Sequence, residues 1–507
     1  MDKALEKRFS RALSFLQAVV FYKIFAKNDR LLPYNNLRIL KEVIMNLQWQ
    51  KYPENTRKLF KLTLPIFISQ LSVAGMGLAD IVMAGLVSDD DVSAIAVSNS
   101  IYFPLFLFVL GLLNAITPTV SYLNGSNQRH LISHQIRQGF WLVWACAIPL
   151  IFVFLNSHWI LDYMNTPQAF SIKSQQYLAI MAIGVVPALL AVNLRCMNDG
   201  LSNPKPAMRI TFLGLLLNIP LNYIFIFGKF GLPEMGAVGC GIATAIVNWV
   251  MFLLLFHYSY TNKAQKDIGL FNRWFEMPSG QTLLKICKLG LPIGFATFTE
   301  VMLFSASALL LSPLGSQVVA SHQAALQTSS LLFMIPMSFS IATTIVVGKT
   351  LGQEQVEEAK IISYHALITG ALFALAAAVV IVILDEIIPL AFTSDPVSIA
   401  IAAHLLLFAA VYQIPDSLQA VANGILRGYK HTKPILYVTM FCYWVIGMPF
   451  GYILARTDWI VEPMAASGFW FIFCVSLSIA AGLLIYQMHK IQQVSADQLL
   501  AKLERIK

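Results

Sequence analysis

Charge is what this 507-residue sequence has least of. Asp, Glu, Lys and Arg make up 12% of it, against about 25% in a soluble domain. Together with 57% hydrophobic residues and a mean hydropathy of +0.67, that shortage excludes a solvated enzyme of several small domains and excludes disorder. Apolar surface on this scale needs the lipid bilayer as its solvent. Cysteine is sparse too. Cys146, Cys196, Cys240, Cys287, Cys442 and Cys474 fall singly in apolar segments with no CxxC pair. That pattern excludes a disulfide framework and a zinc site and fits small buried hydrophobes. A net charge of +9 and a pI near 9.1 ordinarily point to nucleic acid. Here residues 1–60 hold 12 Lys/Arg and 5 Asp/Glu, so most of the excess precedes the first long apolar run, and no nucleic-acid partner is expected.

Runs long enough to cross a bilayer, about 20 residues, recur at 62–86, 95–121, 138–157, 175–196, 207–227, 237–257, 287–311, 321–347, 362–384, 401–425, 435–455 and 467–487. Barrel strands would alternate in polarity over about 10 residues, and these runs do not. With the chain starting inside, 32 of the 35 Lys/Arg fall on the N-terminal segment, the even-numbered connections and the tail. Only Lys173, Lys229 and Arg456 fall opposite. That asymmetry predicts cytoplasmic N and C termini. In the basic segment 1–58, Leu5, Phe9, Leu13, Leu16, Val20 and Ile24 recur at helical spacing. Two readings stay open: a surface-lying amphipathic helix, or a translation start at Met45. The stretch Ala12–Ala26 lacks a small-residue cleavage site after it, which argues against a signal peptide.

The chain also matches itself. Lys61-Leu-Thr-Leu-Pro-Ile66 recurs as Lys288-Leu-Gly-Leu-Pro-Ile293, and Gly125 and Gln128 meet Gly352 and Gln355 at the same offset of 227. Lys205-Pro206 recurs as Lys433-Pro434, and Pro220-Leu-Asn-Tyr-Ile224 as Pro449-Phe-Gly-Tyr-Ile453. The fold class that follows is an all-α polytopic membrane protein: twelve transmembrane helices in two pseudo-symmetric six-helix bundles. The halves are an N-lobe over 59–257 and a C-lobe over 287–488, joined by a cytoplasmic linker at 258–286 and followed by a tail at 489–507. Six crossings per half give the halves one orientation and an axis along the membrane normal, with substrate between them near the midplane.

A carboxylate at mid-bilayer costs on the order of 2.5–3.5 kcal/mol, so each needs a reason. Asp80 in the first run, Glu300 in the seventh and Asp416 in the tenth stand out, while Asp385 and Glu386 read as helix-end residues at the outer surface. Glu300 follows Lys288 by 12 residues and Asp416 precedes Arg427 by 11, which places both about 16–18 Å deep. No intramembrane Lys or Arg is available to neutralise them, those of the runs standing at the ends. They must be protonated, bind a cation or face water, because a carboxyl taken out of water favours its neutral form. Sodium, a hard cation, would suit the same oxygens. Tyr412 lies one turn before Asp416 on the same face, so its hydroxyl can join that carboxylate, and Pro415 interrupts the helix ladder beside them. Asn218 and Asn222, another i,i+4 pair, can converge with Asp80. The competing reading is that these groups only hydrogen-bond between helices.

Two motifs carry no chemistry. Gly348-Lys349-Thr350 has Thr343 where a phosphate-binding loop needs glycine. His130 and His134 lack the adjacent Glu of a zinc protease and read as solvated residues of a short cytoplasmic loop. The 34 Phe and 18 Met suit an adaptable drug pocket or simply face lipid.

At these residues, over about 59–490, the chain resembles the multidrug and toxic compound extrusion (MATE) transporters, NorM-type branch. The matches are Gly75-Met-Gly-Leu-Ala-Asp80, Asn203-Pro-Lys-Pro-Ala-Met208, Leu215-Leu-Leu-Asn-Ile-Pro-Leu-Asn222, Glu300 and Leu426-Arg-Gly-Tyr-Lys430. The first 44 residues depart from the family. The resemblance implies a secondary active efflux antiporter of the inner (plasma) membrane. It would be a monomer and not an enzyme, expelling small cationic or amphipathic drugs and dyes in exchange for Na+ or H+, with no cofactor beyond that coupling ion. It implies a C-lobe cation site of Glu300, Asp416 and Tyr412, with Na+ at the two carboxylates as the one metal considered. It also implies an N-lobe polar cluster of Asp80, Asn218 and Asn222 for cation or substrate. A flippase of a lipid-linked precursor with related two-lobe architecture would want a strongly basic central cavity instead. An integral-membrane transferase would want an acceptor-activating residue and a metal or phosphate site near one surface, and the sequence offers neither.

Overall fold

The computed structural model describes residues 48–164, 166–273 and 276–505; the amphipathic pattern at 5–24 and the Met45 start lie outside them. In hydrocarbon only internal hydrogen bonds can satisfy backbone N–H and C=O groups, so each apolar run becomes a helix. Among the described residues twelve helices are long and apolar enough to cross a membrane. The first six are spans 1 (Trp49–Gly85), 2 (Asp89–Gly125), 3 (Arg129–Leu155), 4 (Phe170–Gly200), 5 (Lys205–Ile226) and 6 (Gly236–Thr261). The last six are spans 7 (Gly280–Leu314), 8 (Ser316–Gly352), 9 (Val356–Leu384), 10 (Pro396–Gly428), 11 (Lys433–Arg456) and 12 (Ala466–Gln492).

Most helices overrun their apolar stretches, because hydropathy registers the lipid-facing part while the helix continues into polar ends. Span 1 begins more than three turns before the apolar run, where Lys58 and Glu54 pair at 2.8 Å one turn apart. Two irregularities interrupt the spans. Span 2 breaks between Leu113 and Ile116, and span 11 winds as a π-helix over Phe441–Gly447. Such π segments are frequent at functional sites.

Buried apolar side chains fill each bundle. Ile95, Leu113, Ile116, Val143 and Leu189 lie in the first, and Leu303, Ile381, Leu405, Trp470 and Phe473 in the second. The bundles meet on the half of the molecule that carries most of the Lys/Arg. There a Cβ on Gly125 would overlap the Lys349 carbonyl, and one on Gly352 would overlap the Tyr122 carbonyl. Each glycine thus faces the residue three before its repeat partner, the reciprocal contact a two-fold relation requires. Small residues let the helix backbones touch. Phe60 packs on Phe339 and Phe373 with ring centroids 6.3 and 5.3 Å apart, and Lys51 pairs with Glu358 at 2.7 Å. Lys430 reaches across to lie 4.6 Å from the centre of the Tyr122 ring.

The connection between the bundles is fastened to span 3. Glu276 pairs with Arg137 and, at 2.5 Å, with His134. Trp141 donates to the Glu276 carbonyl at 2.8 Å, and the Ser279 N–H donates to Gln138 at 2.7 Å. His134 is therefore a helix residue with an acidic partner rather than a solvated loop residue. The sequence spacing could not show this, because Glu276 lies 142 positions away.

Candidate functional site

Two polar clusters sit inside the apolar bundles. In the first bundle span 1 brings Asp80 inward, 7% exposed, against spans 5 and 6. Asn218 donates to Asp80 Oδ1 at 3.1 Å and Asn222 to the same oxygen at 2.7 Å. Asn222 also donates to Asn218 Oδ1 at 3.2 Å. The i,i+4 spacing puts both amides on one helix face, so the predicted convergence of Asp80, Asn218 and Asn222 is found. Thr244 of span 6 completes it, donating to Asp80 Oδ2 at 3.1 Å. Beside Asp80 lies a cavity of about 320 Å3, lined among others by Met76, Tyr102, Phe106, Arg195, Asn248 and Met251.

In the second bundle Glu300 and Asp416 lie near enough for their charges to act on each other. Tyr443, carried on the π-helical segment of span 11, donates to Glu300 Oε1 at 3.4 Å, and Gln419 donates to the Tyr443 hydroxyl at 2.5 Å. Asp416 is 2% exposed, and no hydrogen bond reaches its carboxylate among the described residues. Tyr412 is buried beside it, but its hydroxyl makes no bond to Asp416. Its ring instead meets Trp470 edge-on, 5.7 Å between centroids. Trp470 donates to His322 Nδ1 at 3.1 Å, and His322 Nε2 pairs with Ser307 at 3.2 Å. An indole N–H can only donate, so Nδ1 is bare and the imidazole carries its proton on Nε2. On the Asp416 helix, Gln419 Oε1 and Asn423 Oδ1 are buried without a hydrogen-bond partner.

The expectation of no basic side chain near these acids is corrected. Arg427, in the last turn of span 10, lies near enough for its charge to act on Glu300. Arg195 of span 4 lines the Asp80 cavity and approaches Asp199 at 3.7 Å. Both had been assigned to cytoplasmic connections, but their side chains turn back into the bundles. Even so, among the described residues no salt bridge joins an arginine to Asp80, Glu300 or Asp416. Tyr443, Gln419, Thr244, His322 and Asp199 were not anticipated. The first three are uncharged polar residues of kinds scattered through every span, and only the adjacent repeat motif Pro449-Phe-Gly-Tyr-Ile453 marks the Tyr443 region at all. Among the described residues no group of three or more His, Cys, Asp or Glu could hold a metal ion. An ion at Glu300 and Asp416 would thus draw its remaining ligands from amide, hydroxyl or carbonyl oxygens.

Twelve crossings in two related bundles, each enclosing buried acids that no salt bridge neutralises among the described residues, are the architecture of a multi-pass membrane transporter. The MatE family model matches residues 65–224 and 292–453, one match in each bundle. The chain is 84% identical over 463 residues to a probable multidrug resistance protein NorM of Haemophilus ducreyi, an alignment covering 91% of this chain and 100% of that one. It is 45% identical to the multidrug resistance protein MdtK of Yersinia pseudotuberculosis, over 88% of this chain and 97% of that one. The solved eukaryotic MATE transporter AtDTX14 superposes with a TM-score of 0.82 at 20% identity, over 90% of this chain and 100% of that one. The chain belongs to the MatE family.

Proposed function

We propose that the protein is a secondary active multidrug efflux antiporter of the inner membrane. It exports cationic amphipathic compounds in exchange for Na+ or H+ by alternating access of two lobes, residues 59–257 and 287–488, with both termini cytoplasmic. It works as a monomer and needs no cofactor besides the coupling ion. The observation that carries the reading is the pair Glu300 and Asp416, enclosed together without a salt bridge while two orphaned carbonyl oxygens, of Gln419 and Asn423, lie on the same helix as Asp416. Carboxylates and orphaned carbonyl oxygens are what a hard cation coordinates, and the same carboxylates can take a proton. Tyr412 walls this C-lobe site. In the N-lobe, Asp80 held by Asn218 and Asn222 gives a cationic cargo a counter-charge beside a Met- and Phe-lined cavity, a lining that adapts to varied shapes. Contacts between the lobes gather on the cytoplasmic side, so this conformer faces outward. A coupling ion turns it inward only by binding the two states with different affinity.

The relatives' names as multidrug resistance proteins support the cargo class. The test is efflux of a fluorescent cation from proteoliposomes under a sodium gradient and, separately, a pH gradient. Glu300→Gln and Asp416→Asn are expected to insert normally and to lose gradient-driven efflux. Wild-type efflux in both variants refutes the role of these carboxylates, and dye movement that ignores both gradients refutes antiport.

A further inference from the structure

A second cavity lies far from both acid clusters, at the cytoplasmic rim of the second bundle. About 340 Å3 of space opens among His431, Lys433, Pro434, Tyr437, Gln487, Lys490, Ile491, Val494 and Lys502. Only six of these bear on its chemistry: three lysines, a histidine, and the apolar Tyr437 and Ile491. The lysines come from three elements. Lys433 opens span 11, Lys490 stands in the last turn of span 12, and Lys502 lies on a short terminal helix, Ala496–Arg505. That helix is held to the bundle by the buried Leu499 and Leu503. No carboxylate lines the cavity, and among the described residues none of the three ammonium groups has a salt-bridge partner. Burial, then the charges of Lys502, Lys490 and Lys433, push the His431 imidazole down to about 4, so the three positive charges converge on one point. The start of span 11 adds the positive end of a helix there.

The other wall is apolar and leads outward. From Tyr437, 68% exposed, a stripe of exposed Phe441, Trp444 and Val445 follows at helical spacing up span 11, which is the face a membrane helix turns to lipid. A concentrated positive pocket at the membrane rim, opening onto a lipid-facing aromatic stripe, matches a molecule with an anionic head and an acyl tail. We infer that this groove is a binding site for an anionic phospholipid of the cytoplasmic leaflet, its phosphate held by Lys433, Lys490 and Lys502 and its chain lying along Tyr437, Phe441 and Trp444. Basic pockets between membrane helices on the cytoplasmic side are where such headgroups dock. Nothing in this assignment depends on which ion drives transport or on what is exported.

The test uses full-length protein released from nanodiscs of phosphatidylcholine doped with phosphatidylglycerol, with retained lipid counted by native mass spectrometry. Wild type is expected to keep one phosphatidylglycerol that a Lys433→Gln/Lys490→Gln/Lys502→Gln variant loses. Each single substitution should weaken retention by about five-fold. A control neutralising Lys58, Lys263 and Lys266 should keep the lipid. Size-exclusion profiles establish that each variant is folded, and Lys490→Gln alone carries the test if the triple variant is not. Equal retention of phosphatidylcholine, or no loss in the lysine variants, overturns the site. Displacement of the lipid by millimolar inorganic phosphate would make it a free-anion site and overturn the lipid assignment.

Discussion

The reciprocal glycine contact permits a sharp test of how the lobes close. An alanine at Gly352 would place its Cβ 3.0 Å from the Tyr122 carbonyl carbon and 2.9 Å from the Ser126 nitrogen, overlapping the Tyr122 oxygen between them. Carbon contacts settle at about 3.5–4.0 Å, so spans 2 and 8 must part by roughly 1 Å. Overpacking of this kind costs about 1–3 kcal/mol. The helix-propensity gain of alanine, up to about 1 kcal/mol, is present in both facing states and cancels from the equilibrium between them. The arrangement closed on the Lys/Arg-rich side should therefore lose about 5- to 150-fold in population relative to the opened one. Spin labels at the exposed positions Leu131 and Gln353, in a background freed of native cysteine, report the distance by pulsed electron resonance. Gly352→Ala and, by symmetry, Gly125→Ala should both shift the distribution to longer distances. Gly482→Ala, whose Cβ would meet nothing within 4 Å, should not. Wild-type distributions in both interface variants would refute the closure argument.

Removing the hydroxyl of Tyr443 takes away the donor that reaches Glu300 among the described residues. A hydrogen bond contributes about 0.5–1.5 kcal/mol net, so Tyr443→Phe should shift the coupling-ion concentration for half-maximal transport by up to roughly tenfold while dye affinity holds; an unchanged ion dependence contradicts the role. Burial works against the Glu276 carboxylate, yet hydrogen bonds from Arg137 and His134 outweigh it and hold it below the ordinary 4.5. A depressed value means the linker gains stability above about pH 4.5 and loses it as the pH falls through the lower folded value. Hydrogen exchange of residues 262–279, corrected for intrinsic rate, should quicken on acidification below that point, and in Glu276→Gln at neutral pH, where the wild-type carboxylate is charged; linker exchange indifferent to both removes the latch.

What could be read from the sequence was what lipid forces upon it. Twelve apolar runs, the sidedness of Lys and Arg, and acids stranded in hydrocarbon each carry a free-energy cost large enough to leave a pattern. Asn218 and Asn222 were legible because i,i+4 spacing fixes a common face. Tyr443 and Thr244 were not, since a threonine hydroxyl can bond its own helix backbone and a tyrosine buries a mostly apolar ring, so neither is costly enough to leave a pattern. Arg195 and Arg427 were misassigned because a charge within the last turn or two of a helix looks, in a linear count, like part of the adjoining loop. Tyr412 shows the limit of the face argument: spacing put it beside Asp416, but packing against Trp470 decided where the ring points. The break after Leu113 has a local cause that a search for apolar runs passes over: Pro118 has no N–H to offer the Asn114 carbonyl four residues back, and its ring crowds that carbonyl.

The docking of the linker has a consequence for motion. Glu276 and Ser279 are fastened to span 3, and the opening half of span 7 is wedged at Gly290 and Gly294 against Leu112 and Phe108 of span 2. The first turns of span 7 therefore ride with the first six helices, although the chain has already left them. In the rocking motion proposed above, the frontier between the two bodies would fall within a continuous helix, beside Pro292 and Gly294; the proline lacks a backbone donor and bends easily. A rocking stroke must flex that rod instead of swinging a slack tether, and Glu300 sits about two turns beyond the flexure.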